Sequence, residues 1–135
     1  VAEDRDLGAD PGLEGQFEFN EILAFLTGDF HPAFWPFFTP QRYTTSADSA
    51  VLDTVRQSSF ERIDRVMKHL DKLIGESDHV YRNKRTVVDA YAFVMALWTE
   101  GLQRSFKNYS NIDRFMIKMM EDKAVGEIVK ASKVS

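Results

Sequence analysis

The chain has 135 residues, with 44% hydrophobic and 28% charged side chains, a net charge of -4 and no cysteine. That is enough for one domain with a real core and too little for two good ones. Disulfides and cysteine chemistry are excluded, and an acidic balance argues against a general nucleic-acid binder.

The opening stretch, residues 1–15, is polar and turn-rich and reads as a linker from a domain that precedes it. No leader pattern opens the chain, and no run is long enough to span a bilayer. The first helix is expected over 16–30, with Phe19, Ile22, Leu23 and Leu26 at the i, i+3, i+4, i+7 spacing of one face. It runs into GDFHPAFWPFF, residues 28–38. Pro32 brings no amide donor and crowds the carbonyl four residues back, at Gly28, so a kink is expected near His31. His31, Phe34 and Phe38 follow i, i+3, i+7 spacing and share a face. Spacing alone leaves His31 either a satisfied core histidine or part of a cavity wall. His69 and His79 sit among charged residues and read as solvated.

A second helix is expected over 47–75, with Thr45 and Asp48 as a cap pair and a long apolar stripe from Leu52 to Ile74. Residues 82–85, RNKR, read as a solvated basic loop. Thr86 and Asp89 then have the spacing of a capping box: the hydroxyl serves the first-turn amides and the carboxylate reaches back to the Thr86 amide. A cap explains Asp89 better than a catalytic role does, because it is the sole charge over 87–98. A helix apolar all round and too short for a membrane belongs at the centre of a bundle. Tyr91 and Trp98 are seven apart on one of its faces.

A fourth helix is expected over 111–121, with Ile112, Phe115, Met116 and Met119 inward. A short fifth carries Ala124, Val125, Ile128 and Val129. The fold class is all-α, with about five helices around a central buried one. No metal constellation and no Gly-rich phosphate loop stand out.

Three stretches, EILAFLTGDFHPAFWPFF, YRNKRTVVDAYAFVMALW and YSNIDRFMIKMMEDKAVGEIV, together resemble the C-terminal helical domain of a glutathione S-transferase, most like the bacterial beta type. The resemblance covers residues 16–135. It implies an N-terminal thioredoxin-like domain, absent here, that binds the co-substrate glutathione and carries the catalytic residue. It also implies a cytoplasmic homodimer acting on a small apolar electrophile, with no nucleic-acid or membrane partner. By position, His31, Phe34, Phe38, Tyr91 and Trp98 would line the electrophile pocket, with Thr86 and Asp89 as the structural N-cap and no catalytic or metal residue in this chain. Three positions depart from the family pattern: Pro32 stands where a lysine is common, Ala24 where an asparagine is common, and Arg85 where an apolar residue precedes the cap. The chain alone is expected to be inactive and to expose an apolar strip where the missing domain would sit. The alternative is a non-catalytic protein-protein interaction module of the same fold.

Overall fold

The computed structural model describes residues 6–134, and among them no strand forms beyond one isolated bridge between Tyr81 and Lys84. Five helices of eleven residues or more account for most of the chain: α1 Leu13–Phe25, α4 Ser49–Ile74, α5 Val87–Leu97, α6 Ser110–Glu121 and α7 Lys123–Val134. Two short helices, α2 His31–Ala33 and α3 Trp35–Phe38, lie between α1 and α4. The all-α expectation holds. The chain divides into two compact units, Ala9–Leu70 and a second made of residues 6–8 with 71–134.

In the first unit, α1 starts at Leu13, earlier than composition suggested, so residues 13–15 are helix and not linker. Part of the expected linker falls on residues 1–5, which lie outside the described residues. Gly12, at φ 101, makes the entry turn in a conformation that L side chains rarely adopt. The helix does not end at the aromatic stretch. It widens into one π-helical turn, Leu26–Phe30, where the His31 amide donates to the Leu26 carbonyl. Pro32 lacks the donor that an α-turn would need at that point, and the wider turn is the form the bend takes. Phe19, Ile22, Leu26, Phe30 and Phe34 are all buried, so the apolar stripe passes through the wide turn without a break. Ring contacts between Phe25 and His69 (4.5 Å) and between Phe37 and Phe60 (5.9 Å) pack this segment on α4. His69 is exposed, as expected, with its ring against that of Phe25. The cap of α4 is Asp48 alone, whose Oδ1 accepts from the Ala50 amide at 2.8 Å. The expected Thr45–Asp48 pair is replaced by consecutive side-chain turns, with Ser46 Oγ accepting from the Asp48 amide at 3.1 Å.

In the second unit the N-terminus of α5 is tied down by Asp89, which is fully buried. Its Oδ1 accepts from the Val80 amide at 2.9 Å and its Oδ2 from the Thr86 amide at 3.1 Å. His79 Nδ1 lies 2.8 Å from the same Oδ2, and a carboxylate only accepts, so the imidazole carries its proton on Nδ1. His79 is thus part of the cap, 25% exposed at its side chain, and not solvated as its neighbours in sequence suggested. The reciprocal half of the capping box is loose. Thr86 Oγ1 faces the Asp89 amide but is buried with no hydrogen-bond partner in good geometry among the described residues.

The remaining helices are joined by similar long-range caps. Asp71 Oδ1 accepts from the amides of Asn111 and Ile112 at 2.8 and 3.0 Å, and so serves the first turn of α6. The Arg114 guanidinium donates to the carbonyls of Gly75 and Ser77. Those carbonyls lie just past the end of α4, where Gly75 turns the chain at φ 53. Buried Thr99 donates to Ala96 O and accepts from the Phe106 amide, both at 2.7 Å, which closes the C-terminal end of α5. On α6, Ile112, Phe115, Met116 and Met119 are buried as their spacing predicts.

The basic run is not a free loop. Arg82 and Asn83 form a tight turn at φ 46 and 51. Lys84 pairs with Asp6 at 2.7 Å, and Arg85 with Asp122 at 2.8 Å. Hydrogen bonds from these cations hold both carboxyls below the usual carboxylate range. A depressed carboxylate contributes stability above its unfolded pKa of about 4, and that contribution fades as the pH falls through its folded value.

The two halves of the capping box separate cleanly by mutation. Asp89→Ala leaves two buried amides and the half-buried His79 imidazole without an acceptor and is expected to cost about 3–5 kcal/mol in urea unfolding. Thr86→Val removes a hydroxyl that already lacks a partner and is expected to change stability by less than about 0.5 kcal/mol. A loss above about 1 kcal/mol for Thr86→Val would show that the hydroxyl does cap the helix.

Candidate functional site

The apolar helix α5 is not covered all round. Val88, Asp89, Ala92, Phe93, Met95 and Ala96 are buried, but Val87 and Val94 are each 50% exposed and Ala90 is exposed. These three fall at i, i+3, i+7, a single open stripe. The expectation of a helix enclosed on every side is corrected to one enclosed on all sides but this stripe. The apolar residues of α7 also stay partly open. Ile128 is 70% exposed, and Val125 and Val129 are half-buried. Their side chains edge a groove of about 460 Å³ whose other residues include Phe93, Val94, Leu97, Trp98 and Met119. The lining is almost wholly apolar, with Ser132 at one end.

Trp98 lines this groove. Tyr91, one turn past Val87, is half-buried and lies outside the groove lining. In the other unit, the ring of half-buried His31 meets Trp35 edge-on at 5.9 Å. Phe34 is fully buried and stacks at 6.2 Å on Phe38, which is 49% exposed. His31, Phe38, Tyr91 and Trp98 thus each retain accessible surface, whereas Phe34 backs Phe38 from the core. Among the described residues, no group of His, Asp and Glu side chains is arranged to hold a metal ion, and no helix is long and apolar enough to cross a membrane.

The fold matches that of solved bacterial glutathione S-transferases. The beta-class enzyme of Sphingomonas chungbukensis superposes with a TM-score of 0.76 at 23% identity, over 96% of this chain and 62% of that one. A sphingomonad glutathione S-transferase, solved in complex with glutathione, gives 0.76 at 26% identity over 96% of this chain and 60% of that one. The chain has the helical C-terminal fold of the bacterial glutathione S-transferases. In sequence it is 22% identical over 131 residues to the glutathione S-transferase GstA of Escherichia coli O157:H7. That alignment covers 95% of this chain and 59% of the relative, so the chain spans about three fifths of the length of the proteins it matches. No protein-family model matches the chain.

An exposed apolar strip was expected from the resemblance, but not its place on α5, because helical periodicity shows only that α5 is apolar, not which face a neighbour covers. The one cue in sequence is the lack of polar residues at Val87, Ala90 and Val94, where a solvated face would carry them.

An apolar face of this size promotes association. The chain is expected to self-associate at concentrations of tens of micromolar in sedimentation. The double variant V94D/I128D is expected to be monomeric, with stability within about 1 kcal/mol of the parent because both positions are exposed. A parent that stays monomeric throughout would remove the stripe as a contact surface.

Proposed function

We propose that this chain is the C-terminal substrate-binding domain of a glutathione S-transferase, supplying apolar surface against which an electrophile is held for conjugation or reduction by glutathione. The observation that carries the reading is the open apolar groove beside Trp98, on a fold shared with bacterial glutathione S-transferases. In this reading the catalytic residue and most of the glutathione contacts belong to a thioredoxin-like domain preceding the chain. That domain covers the stripe of Val87, Val94 and Ile128. The Leu7 carbonyl accepts from the Val87 amide at 2.9 Å, which holds residue 7 beside the start of the stripe.

The chemistry asked of this chain is positioning. Tyr91 and Trp98 in one unit, and His31 and Phe38 in the other, would each offer surface to a substrate, and Phe34 would support Phe38. Aromatic surface takes an apolar electrophile out of water and fixes its approach to the sulfur. His31 adds one polar group to the aromatic segment. The same reading makes the whole protein a cytoplasmic homodimer, with the co-substrate glutathione as its thiol source.

The test is retention of the natural protein from its source cells on immobilised glutathione, with intact mass read on elution. Retention at a mass one domain above 15.5 kDa is expected. In that protein Trp98→Ala is expected to leave retention intact and to lower kcat/KM for an apolar electrophile about tenfold, roughly the 1.4 kcal/mol of one lost aromatic contact. This chain alone is expected to show no conjugation activity. A natural mass equal to this chain, or a larger protein that ignores glutathione, would favour an interaction module instead.

A further inference from the structure

A second concavity lies wholly within the unit Ala9–Leu70 and is chemically unlike the first. It is a groove of about 400 Å³ between the π-turn and the middle of α4. One wall is Gly28, Asp29, Pro32 and Ala33; the other is Arg62, Arg65 and Val66. The wide turn supplies Gly28 and Asp29 to the first wall. Gly28 has no side chain, and nothing lies within 4 Å of where a Cβ would project. Pro32 leaves this turn one backbone donor short.

The charges on the two walls are opposite, yet they do not join. Asp29 and Arg62 each lack an ion pair or side-chain hydrogen bond to any described residue, although both line one groove. Arg65 makes only an exposed contact of 3.4 Å with Glu61, of the kind that contributes little and is readily exchanged. A groove of this kind holds a carboxylate on one side and two guanidinium forks on the other, with Val66 and Ala33 as apolar surface between them.

We infer that this groove binds the α-amino acid group of a small zwitterion, with Asp29 taking the ammonium and Arg62 and Arg65 the carboxylate. Two simpler occupants fit less well. A simple anion would meet the Asp29 carboxylate, and a simple cation would meet two guanidinium groups. A free amino acid carries both charges on one carbon, and guanidinium forks suit a carboxylate held in plane. Glutathione carries the same α-amino acid group at its γ-glutamyl end, but the charges of this groove alone carry the inference, not the groove at Trp98. A thiol-free amino acid therefore tests it separately from the glutathione reading.

The probe is L-alanine, titrated into the isotope-labelled chain and followed by amide NMR shifts, with N-acetyl-L-alanine and L-alaninamide as controls that each lack one charge. Saturable shifts confined to Gly28, Asp29, Ala33, Arg62, Arg65 and Val66 are expected, with a dissociation constant on the order of 1–10 mM for so small a ligand. Each blocked analogue is expected to bind at least about tenfold more weakly, about 1.4 kcal/mol. Asp29→Asn and Arg62→Gln are expected to abolish the shifts while leaving the rest of the spectrum unchanged, since both side chains lie at the surface. Shifts that do not saturate, or N-acetyl-L-alanine binding as well as L-alanine, would overturn the proposal, the second result reducing the groove to a general anion patch.

Discussion

The carboxylate of Asp89 is the point on which the second unit depends. A buried charge is tolerated only when its acceptor sites are filled. Here they are filled by the Val80 amide, the Thr86 amide and the His79 imidazole, which come from both ends of the loop preceding α5. One side chain thereby closes that loop and starts the helix. The loop is held again further out, by Arg114 on the carbonyls of Gly75 and Ser77, and by the ion pairs of Lys84 and Arg85. With α5 fixed at this end and closed by Thr99 at the other, the orientation of its stripe is set. Val87, Ala90 and Val94 face outward because Val88, Ala92 and Met95 must face in.

The sequence made the helices and this cap legible because both are local. Spacings of three and four residues locate the inward face of α6, and a Thr and an Asp three apart announce the start of α5. What could not be read was any feature that needs two distant segments. His79 reads as solvated because its neighbours are polar, and only its contact with Asp89, ten residues on, shows otherwise. The cap that Asp71 supplies to α6 spans forty residues. The bend at Pro32 was visible as a broken donor pattern, but its form, one π-turn with the apolar stripe preserved, depends on how Phe25 and Phe37 find His69 and Phe60. Among the candidate site residues, the sequence identified aromatic surface without ranking its exposure. The structure separates buried Phe34 from the partly open His31, Phe38, Tyr91 and Trp98.

The two grooves present different chemistry. The groove at Trp98 is nearly all apolar, and its edge is the open stripe of α5, the property expected of a surface that works when another body lies on it. The groove at Asp29 is lined by unjoined opposite charges, and one of its walls includes residues of the π-turn. Wide helical turns are costly to keep and often mark functional positions, which fits a turn that shapes a wall and does not only relieve a proline.

Native-state hydrogen exchange at the amides of Val80 and Thr86 tests the central claim most directly. If Asp89 anchors the unit, both amides exchange only through global unfolding, and their exchange free energies equal the stability measured in urea. Exchange of either amide by local opening, at a free energy several kcal/mol below the global value, would contradict the account, because the loop and the start of α5 would then open while the rest of the fold stands.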